Sequence, residues 1–394
     1  MRRSSLLRSL AALVPLALAG CIGSGSLTPP GTVGTAAPEA ATGETIGTGS
    51  VRVALILPLT GQGQGAVVAQ SLRNAAELAL TEFQDPDVTI LVKDDRGTPE
   101  GAREAAGQAI AEGAELIIGP VFAASVQAAG QAARQAGRPV IAFSTDASVA
   151  TRGVYLLSFL AQAEVDRIVD YAAAQGRRSV AALIPETTYG NVVEAQFREA
   201  AARRGLRVAA IERYPAGQPQ AAVQRLAGVI GGAAPQADTL FVPDTGEGLA
   251  AVSQALQTAG FSPQRVKPIG TGVWNEPRVF ALPAFQGGWF AAPDNRGFNA
   301  FAARYRARFN ADPTRLATLS YDAVSLAAAL ARTQGSQRFT EGVLTNPSGF
   351  AGADGVFRFR PDGLNDRALA VQEIRGGGAV TVNPAPRALA PAGT

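Results

Sequence analysis

Residues Glu115–Ser148 read ELIIGPVFAASVQAAGQAARQAGRPVIAFSTDAS. Leu116-Ile117-Ile118 is an apolar run of strand length, and Gly119-Pro120 stops it. Ala123–Ala136 is built mainly from Ala and Gln, which favour a helix, and Gly137 with Pro139 ends that helix. Pro139–Ala142 opens the next strand. The crossover has the length that two parallel neighbours need. Two polar turns, Phe122–Ser125 and Ser144–Asp146, therefore fall at the carboxyl ends of adjacent strands. Open α/β sheets bind ligands at that edge, so a cleft is expected there.

Working outward, the same alternation continues on both sides. Val51–Leu57 is a strand, Pro58–Gly65 a Gly-rich turn and Ala66–Phe83 an amphipathic helix. Val88–Val92 is a strand ending in Lys93-Asp94-Asp95, and Pro99–Glu112 is a helix. After a strand-like run at Val154–Phe159, strands and helices alternate again from Ala163 to Gly270. This second set repeats the architecture of the first without a clear sequence repeat. Gly287–Ala292 is strand-like, and Gly297–Phe309 and Leu319–Arg332 are helical. Gly355–Pro361 and Ala368–Ile374 suggest a small hairpin, before a Pro/Ala-rich tail over 383–394.

A chain of 394 residues is long for one core. The expected fold is α/β and two-lobed, each lobe a mostly parallel sheet flanked by helices. The domain is expected over 51–382, with one lobe at about 51–159 and 274–317. The other lobe would hold about 160–273 and 318–382. Several strands joining two lobes suit hinge closure around a ligand.

Composition excludes several functions. There is no His, which removes the commonest general base and metal ligand. Cys21 is the only Cys, so neither an intramolecular disulfide nor a Cys-based zinc site is available, and no metal site is expected. Arg2, Arg3 and Arg8 account for the whole net charge of +3, and no basic block with interleaved aromatics exists. No nucleic-acid partner is expected. Phosphate-loop, zincin and nucleophile-elbow motifs are absent. Gly61–Ala66 fits a dinucleotide-type G-x-G-x-x-A, with Asp94-Asp95 where a ribose-binding acid would stand. However, Pro58-Leu59-Thr60 separate the first Gly from the strand, which a dinucleotide fingerprint does not allow. No cofactor and no catalysis are expected.

The chain begins as a targeting segment over 1–20. Three Arg precede a short apolar stretch, Leu10–Ala19, too short to span a bilayer. Leu18-Ala19-Gly20-Cys21 resembles the lipobox of bacterial lipoproteins. The resemblance implies cleavage before Cys21, lipidation of Cys21 and contact with the membrane through that anchor only. Absence of Asp at Ile22 implies the outer membrane rather than the inner one. Residues 21–50 are rich in Gly, Ser, Thr, Pro and Ala and read as a flexible tether of about 100 Å when extended.

The folded part resembles the type I periplasmic binding proteins, the family of the leucine and amide binders of ABC transporters. The carriers are Val53–Gly61 (VALILPLTG), Asp94-Asp95, Ile117–Pro120 (IIGP), Val140–Asp146 (VIAFSTD), Pro185–Gly190 (PETTYG) and Tyr321–Leu330 (YDAVSLAAAL). The mature chain is also similar to the penicillin-binding-protein activator lipoproteins. That likeness rests on Gly119–Val126 (GPVFAASV), Phe143–Ser148 (FSTDAS), Gly153–Phe159 (GVYLLSF), Gly287–Asp294 (GGWFAAPD) and Phe350–Asp362 (FAGADGVFRFRPD).

These resemblances imply a non-catalytic periplasmic protein with one of two partners. A regulatory module would dock on a peptidoglycan synthase, a penicillin-binding protein. A solute receptor would deliver an amino acid, amide or other small polar ligand to an ABC permease. The binding residues they imply are Gln64, Ala123, Ala124, Ser125, Ser144, Thr145, Asp146, Tyr189, Glu247 and Trp274. Ala123 stands where a hydroxyl commonly meets a ligand carboxylate, and Asp146 where a Thr is common. These departures speak against an ordinary α-amino acid and tip the expectation towards docking.

Overall fold

The computed structural model describes residues 38–389. The targeting segment, Cys21 and the first part of the expected tether lie outside the described residues.

The first lobe is a six-stranded sheet. In chain order it takes β1 (Thr45–Ile46), β2 (Val51–Leu57), α1 (Gln64–Thr81), β3 (Val88–Asp94), α2 (Pro99–Ala111) and β4 (Leu116–Ile118). Then come α3 (Ala123–Gln135), β5 (Val140–Ala142) and β6 (Val154–Leu156). The second lobe follows with α4 (Ala161–Ala174), β7 (Ser179–Pro185), α5 (Thr188–Arg203), β8 (Arg207–Tyr214) and α6 (Gln220–Ile230). It continues through β9 (Thr239–Phe241), α7 (Gly246–Thr258), β10 (Lys267–Gly270), α8 (Pro277–Phe280) and β11 (Trp289–Ala292).

Strand order is β1-β3-β2-β4-β5-β6 in the first sheet, and every pair except β1–β3 is parallel. In the second sheet β8-β7-β9-β10-β11 has the same parallel order as β3-β2-β4-β5-β6. The repeat of architecture without a repeat of sequence is therefore real. Each sheet reverses direction of growth beside its first long strand, β2 or β7, and ligand crevices form at such switch points. The strands are apolar on both faces, as expected where helices cover both sides. β2, for example, buries Val53, Ala54, Leu55, Ile56 and Leu57 completely.

The chain then returns to the first lobe, which corrects the expected lobe boundaries. α9 (Asn295–Phe309) and α10 (Ala317–Thr333) pack on α1. Leu319, Ala323, Val324 and Ala327 of α10 enter the first lobe's core, together with Phe357 and Phe359. The short α11 (Glu341–Leu344) and a three-stranded sheet of β12 (Phe350–Gly352), β13 (Gly355–Phe359) and β14 (Asn365–Arg367) complete this section. The first lobe thus takes 295–367, while 274–292 stays in the second. Sequence periodicity shows that α10 has an apolar face but not which sheet will bury it.

The expected hairpin is also different. β13 pairs with β14, whereas β15 (Ala370–Arg375) runs antiparallel to β11 and is edged by β16 (Gly378–Asn383). Three crossings, at 157–160, 293–294 and 368–369, join the lobes.

Residues 39–50 do not hang free as the tether reading expects. β1 pairs with β3, Glu39 N–H donates to the Ala111 carbonyl at 2.9 Å, and Thr42 bonds to Glu112. The cause is a buried ion pair. Lys93 and Glu112 meet at 2.8 Å with almost no exposure, and Lys93 Nζ donates to the Thr42 carbonyl at 2.7 Å. The strap supplies an acceptor for the ammonium that would otherwise be buried short of partners.

Candidate functional site

A cavity of about 720 Å³ lies between the lobes. It is lined from the first lobe by Thr145–Ser148, Arg315 and Leu316, and from the crossings by Phe159 and Pro293. The second lobe contributes the starts of α4 and α5 and the turn after β10. The lining is mostly apolar, with a few convergent polar groups, as ligand sites usually are.

Each polar group is set by local chemistry. After β5, Ser144 Oγ accepts from Asp146 N–H at 3.1 Å, and Asp146 Oδ1 accepts from Ser148 N–H at 2.9 Å. The turn is thus a capped one that displays Thr145 and Asp146 to the cleft. Thr187 caps α5 by accepting from Gly190 N–H at 2.9 Å, which fixes Thr188 and Tyr189 at the cavity wall. The Tyr189 hydroxyl shares a hydrogen bond of 2.6 Å with Thr271 Oγ1. Burial pushes the Tyr189 hydroxyl pKa well up, and the nearby Glu164 adds to this.

Glu164 sits in the first turn of α4 and is almost completely buried. Its Oε2 accepts from Gly272 N–H at 2.9 Å, and Oε1 bonds to no described residue. Burial pushes its carboxyl up to about 8, against the opposing pull of that N–H and of Arg315. Gly272 is needed at this point, because a Cβ there would stand 2.5 Å from Oε1. Across the cavity Arg315 is held by Asp354 through two hydrogen bonds of 2.8 and 2.6 Å. Its guanidinium lies between the rings of Phe159 and Phe298, at 4.8 and 4.7 Å from their centres.

Of the residues implied by sequence, Thr145, Asp146 and Tyr189 line the cavity, and Ser144 shapes their turn. The others lie elsewhere. Gln64 is exposed at the start of α1. Ala123 and Ala124 do not reach the cavity, and the ring of Phe122 covers their side of the lobe against Gly65 and Gly97. Ser125 is turned inward, beside Asp95. Glu247 is 90% exposed at its side chain and faces Arg278 at 3.9 Å. Trp274 is a core residue: its indole N–H donates to the Val242 carbonyl at 2.9 Å, and it packs on Phe285. Asp94, the would-be ribose acid, is engaged by Thr60 and by Arg96 N–H.

Sequence reading missed Glu164, Arg315 and Phe159. Glu164 did leave a signal, because it stands four residues before Ile168 on the face of α4 that is otherwise apolar. Arg315 left none. Among the described residues no cluster of acidic, His or Cys side chains is suited to a metal ion, and no helix is long and apolar enough to cross a membrane.

Solved structures of the same fold are numerous. A Rhodospirillum rubrum protein provisionally described as a branched-chain amino acid ABC transporter aligns with a TM-score of 0.75 at 21% identity, covering 84% of this chain and 99% of its own. The solute-binding protein of an ABC transporter from Rhodopseudomonas palustris BisB5, in complex with 3,4-dihydroxybenzoic acid, gives 0.60 at 21% identity, covering 85% of this chain and 96% of its own. The branched-chain amino acid binding protein LivJ of Streptococcus pneumoniae, in complex with isoleucine, gives 0.59 at 18% identity, covering 85% and 99%. At these identities the likeness shows the fold alone. No curated protein sequence matches the chain. A family model described as periplasmic binding protein matches residues 50–379, so with its two-lobed α/β fold the chain belongs to the periplasmic binding protein family.

Proposed function

We propose that the protein is a solute receptor that captures a small ligand between its lobes and presents it to an ABC permease. The observation that carries this reading is the cavity of about 720 Å³ closed in by both lobes and the crossings, with a buried carboxyl directed to it. The named neighbours, a solute-binding protein holding 3,4-dihydroxybenzoic acid and a LivJ holding isoleucine, support it. Binding without catalysis is the reading that the family supports. A periplasmic location follows from the family, and lipidation at Cys21 with outer-membrane placement is proposed from the lipobox resemblance.

The regulatory reading, docking on a penicillin-binding protein, has sequence resemblance behind it and no feature of the cleft. It takes second place for that reason. Thermal unfolding of the purified protein against amino acids, amides, organic acids, small peptides and muropeptides tests the receptor reading. A ligand that binds only the folded form at 100 times its Kd adds about 2.7 kcal/mol of stability. A flat response across the panel would overturn the receptor reading and return the docking module to first place.

A further inference from the structure

The receptor reading leaves open what chemical class the cleft selects, and the polar groups of the cavity answer that. Two helices begin at its wall. Ala161 and Gln162 at the head of α4, and Thr188 and Tyr189 at the head of α5, carry backbone N–H groups that precede the first intrahelical bond. Val273 N–H in the turn after β10 is likewise without a partner among the described residues. Helix starts carry partial positive charge. These groups alone would not define a site. Glu164 adds an independent element: a side chain almost wholly buried, one oxygen accepting from Gly272 and the other unpartnered in the cavity wall.

The charged and titratable groups around Glu164 are few. Tyr189 faces it from α5, and Arg315 faces it from the first lobe. Asp146 and Glu276 lie at the exposed parts of the same cavity, where Asp146 caps its own turn and Glu276 pairs with Arg278. β11 contributes only Ala292, followed by Pro293. Deep in the cleft, donors therefore outnumber acceptors, and no anion faces Glu164.

We propose, on the footing of the receptor reading, that the free oxygen of Glu164 meets the carboxylate of the ligand and that the cleft selects small monocarboxylates with an apolar body. Oε2 keeps its bond from Gly272, and the hydrogen on Oε1 is donated to one oxygen of the ligand carboxylate. The helix starts and Arg315 favour the ligand's charge, and Phe159, Val192, Val273 and Leu316 receive its body.

This arrangement couples binding to a proton. Below about pH 8 the carboxyl already carries its hydrogen, so affinity is flat. Above that value binding must take a proton up, and affinity falls about tenfold per pH unit. A cationic ligand would give the opposite slope.

The test is calorimetric titration of the purified protein with phenylacetate, phenylacetamide, phenethylamine and phenylalanine between pH 6 and pH 9.5. The expected result is phenylacetate bound at least tenfold tighter than the other three, with affinity falling above pH 8 and proton uptake visible as a dependence on buffer ionisation heat. Glu164→Gln should keep most of the affinity, because its amide N–H replaces the acid hydrogen, and should lose the pH dependence. Glu164→Ala should lose affinity at least tenfold while its melting curve shows it folded. Preference for the amine, the amide or the amino acid, or a flat pH profile in the wild type, overturns the monocarboxylate assignment and leaves the receptor reading standing. Silence of all four probes overturns it too, and the receptor reading falls only if the wider solute panel is silent as well.

Discussion

The Arg315 guanidinium lies 4.8 Å from the centre of the Phe159 ring, and Arg367 lies 5.0 Å from the same ring. Phe159 belongs to the first crossing between the lobes and Arg367 immediately precedes the third. Arg315 also stacks on Phe298, which follows the second crossing. All three connections therefore meet at one aromatic–cation cluster, so that a side-chain change there acts on the hinge and on the cavity together. Phe159→Ala should cost about 2–3 kcal/mol, from lost burial of a partly buried ring and two cation–π contacts. Urea unfolding measures the cost, and a change under about 0.5 kcal/mol would remove the cluster from the list of hinge supports.

Asp354 is fully buried and receives Arg315 through two hydrogen bonds. Asp354→Ala should destabilise by about 3 kcal/mol, because removing one partner of a buried pair leaves the other charge poorly compensated. Arg315 would also lose its fixed direction in the cavity. Ligand affinity in Asp354→Ala should fall with stability, and the two can be separated by titration well below the melting temperature.

Asp322 gives a pH prediction with an unusual sign. Its carboxyl is pushed up to about 7 by burial, against the pull of Arg367 and of Ala353 N–H. The folded state therefore holds this proton more tightly than the unfolded chain does. Stability from this group is greatest below about pH 4, falls as pH rises from about 4 to 7 and is flat above that. Glu164, raised to about 8, slopes the same way. Asp322→Asn keeps the acceptor for Ala353 N–H and removes the titration. Urea midpoints at pH 5 and pH 8 should show the variant gaining on wild type as pH rises. A variant that gains nothing would mean Asp322 stays ionised in the fold.

Much of this molecule was legible from short stretches of sequence. Leu116–Ile118, Ala123–Gln135 and Val140–Ala142 form the strand–helix–strand unit that their punctuation indicates. The second alternation closes at Gly270 as expected, on the strand Lys267–Gly270. What failed were long-range choices. Nothing local tells α10 to pack on α1, 236 residues or more before it, or tells Ala370–Arg375 to pair with β11 instead of β13. At the cavity, the positions of Thr145, Asp146 and Tyr189 on the wall are legible because turns and helix caps have local signatures. Glu247 and Trp274 were misplaced because a one-turn rotation or a buried indole decides exposure, and neither is written in spacing. Arg315 became visible only when tertiary folding brought it beside Phe159.

Tyr189→Ala and Asp146→Ala should each weaken binding of a cleft ligand, by roughly tenfold if one hydrogen bond or its support is lost. Neither should unfold the protein. Tyr189 loses one bond to Thr271, and Asp146 is exposed and loses only the cap to Ser148. Titration calorimetry checks both, and unchanged affinity in the pair would place the ligand elsewhere in the cavity.

Glu112→Ala should cost about 3–5 kcal/mol, since it strands the buried Lys93 ammonium. It should also release the strap over 39–46, which limited proteolysis would register as cleavage there before the rest of the domain.

The path of the chain between the lobes also orders events in time. The second lobe's core is drawn mainly from 161–292, with Val371 and Ile374 added late and Ala379 and Val382 packed against it. The first lobe's core needs α10, Phe357 and Phe359. A chain emerging from its N-terminus therefore has every strand of the first sheet by Leu156 but one face of it uncovered until α10 follows from Ala317. The first lobe's apolar face therefore stays open until α10, Phe357 and Phe359 arrive, and until then it depends on whatever shields nascent chains.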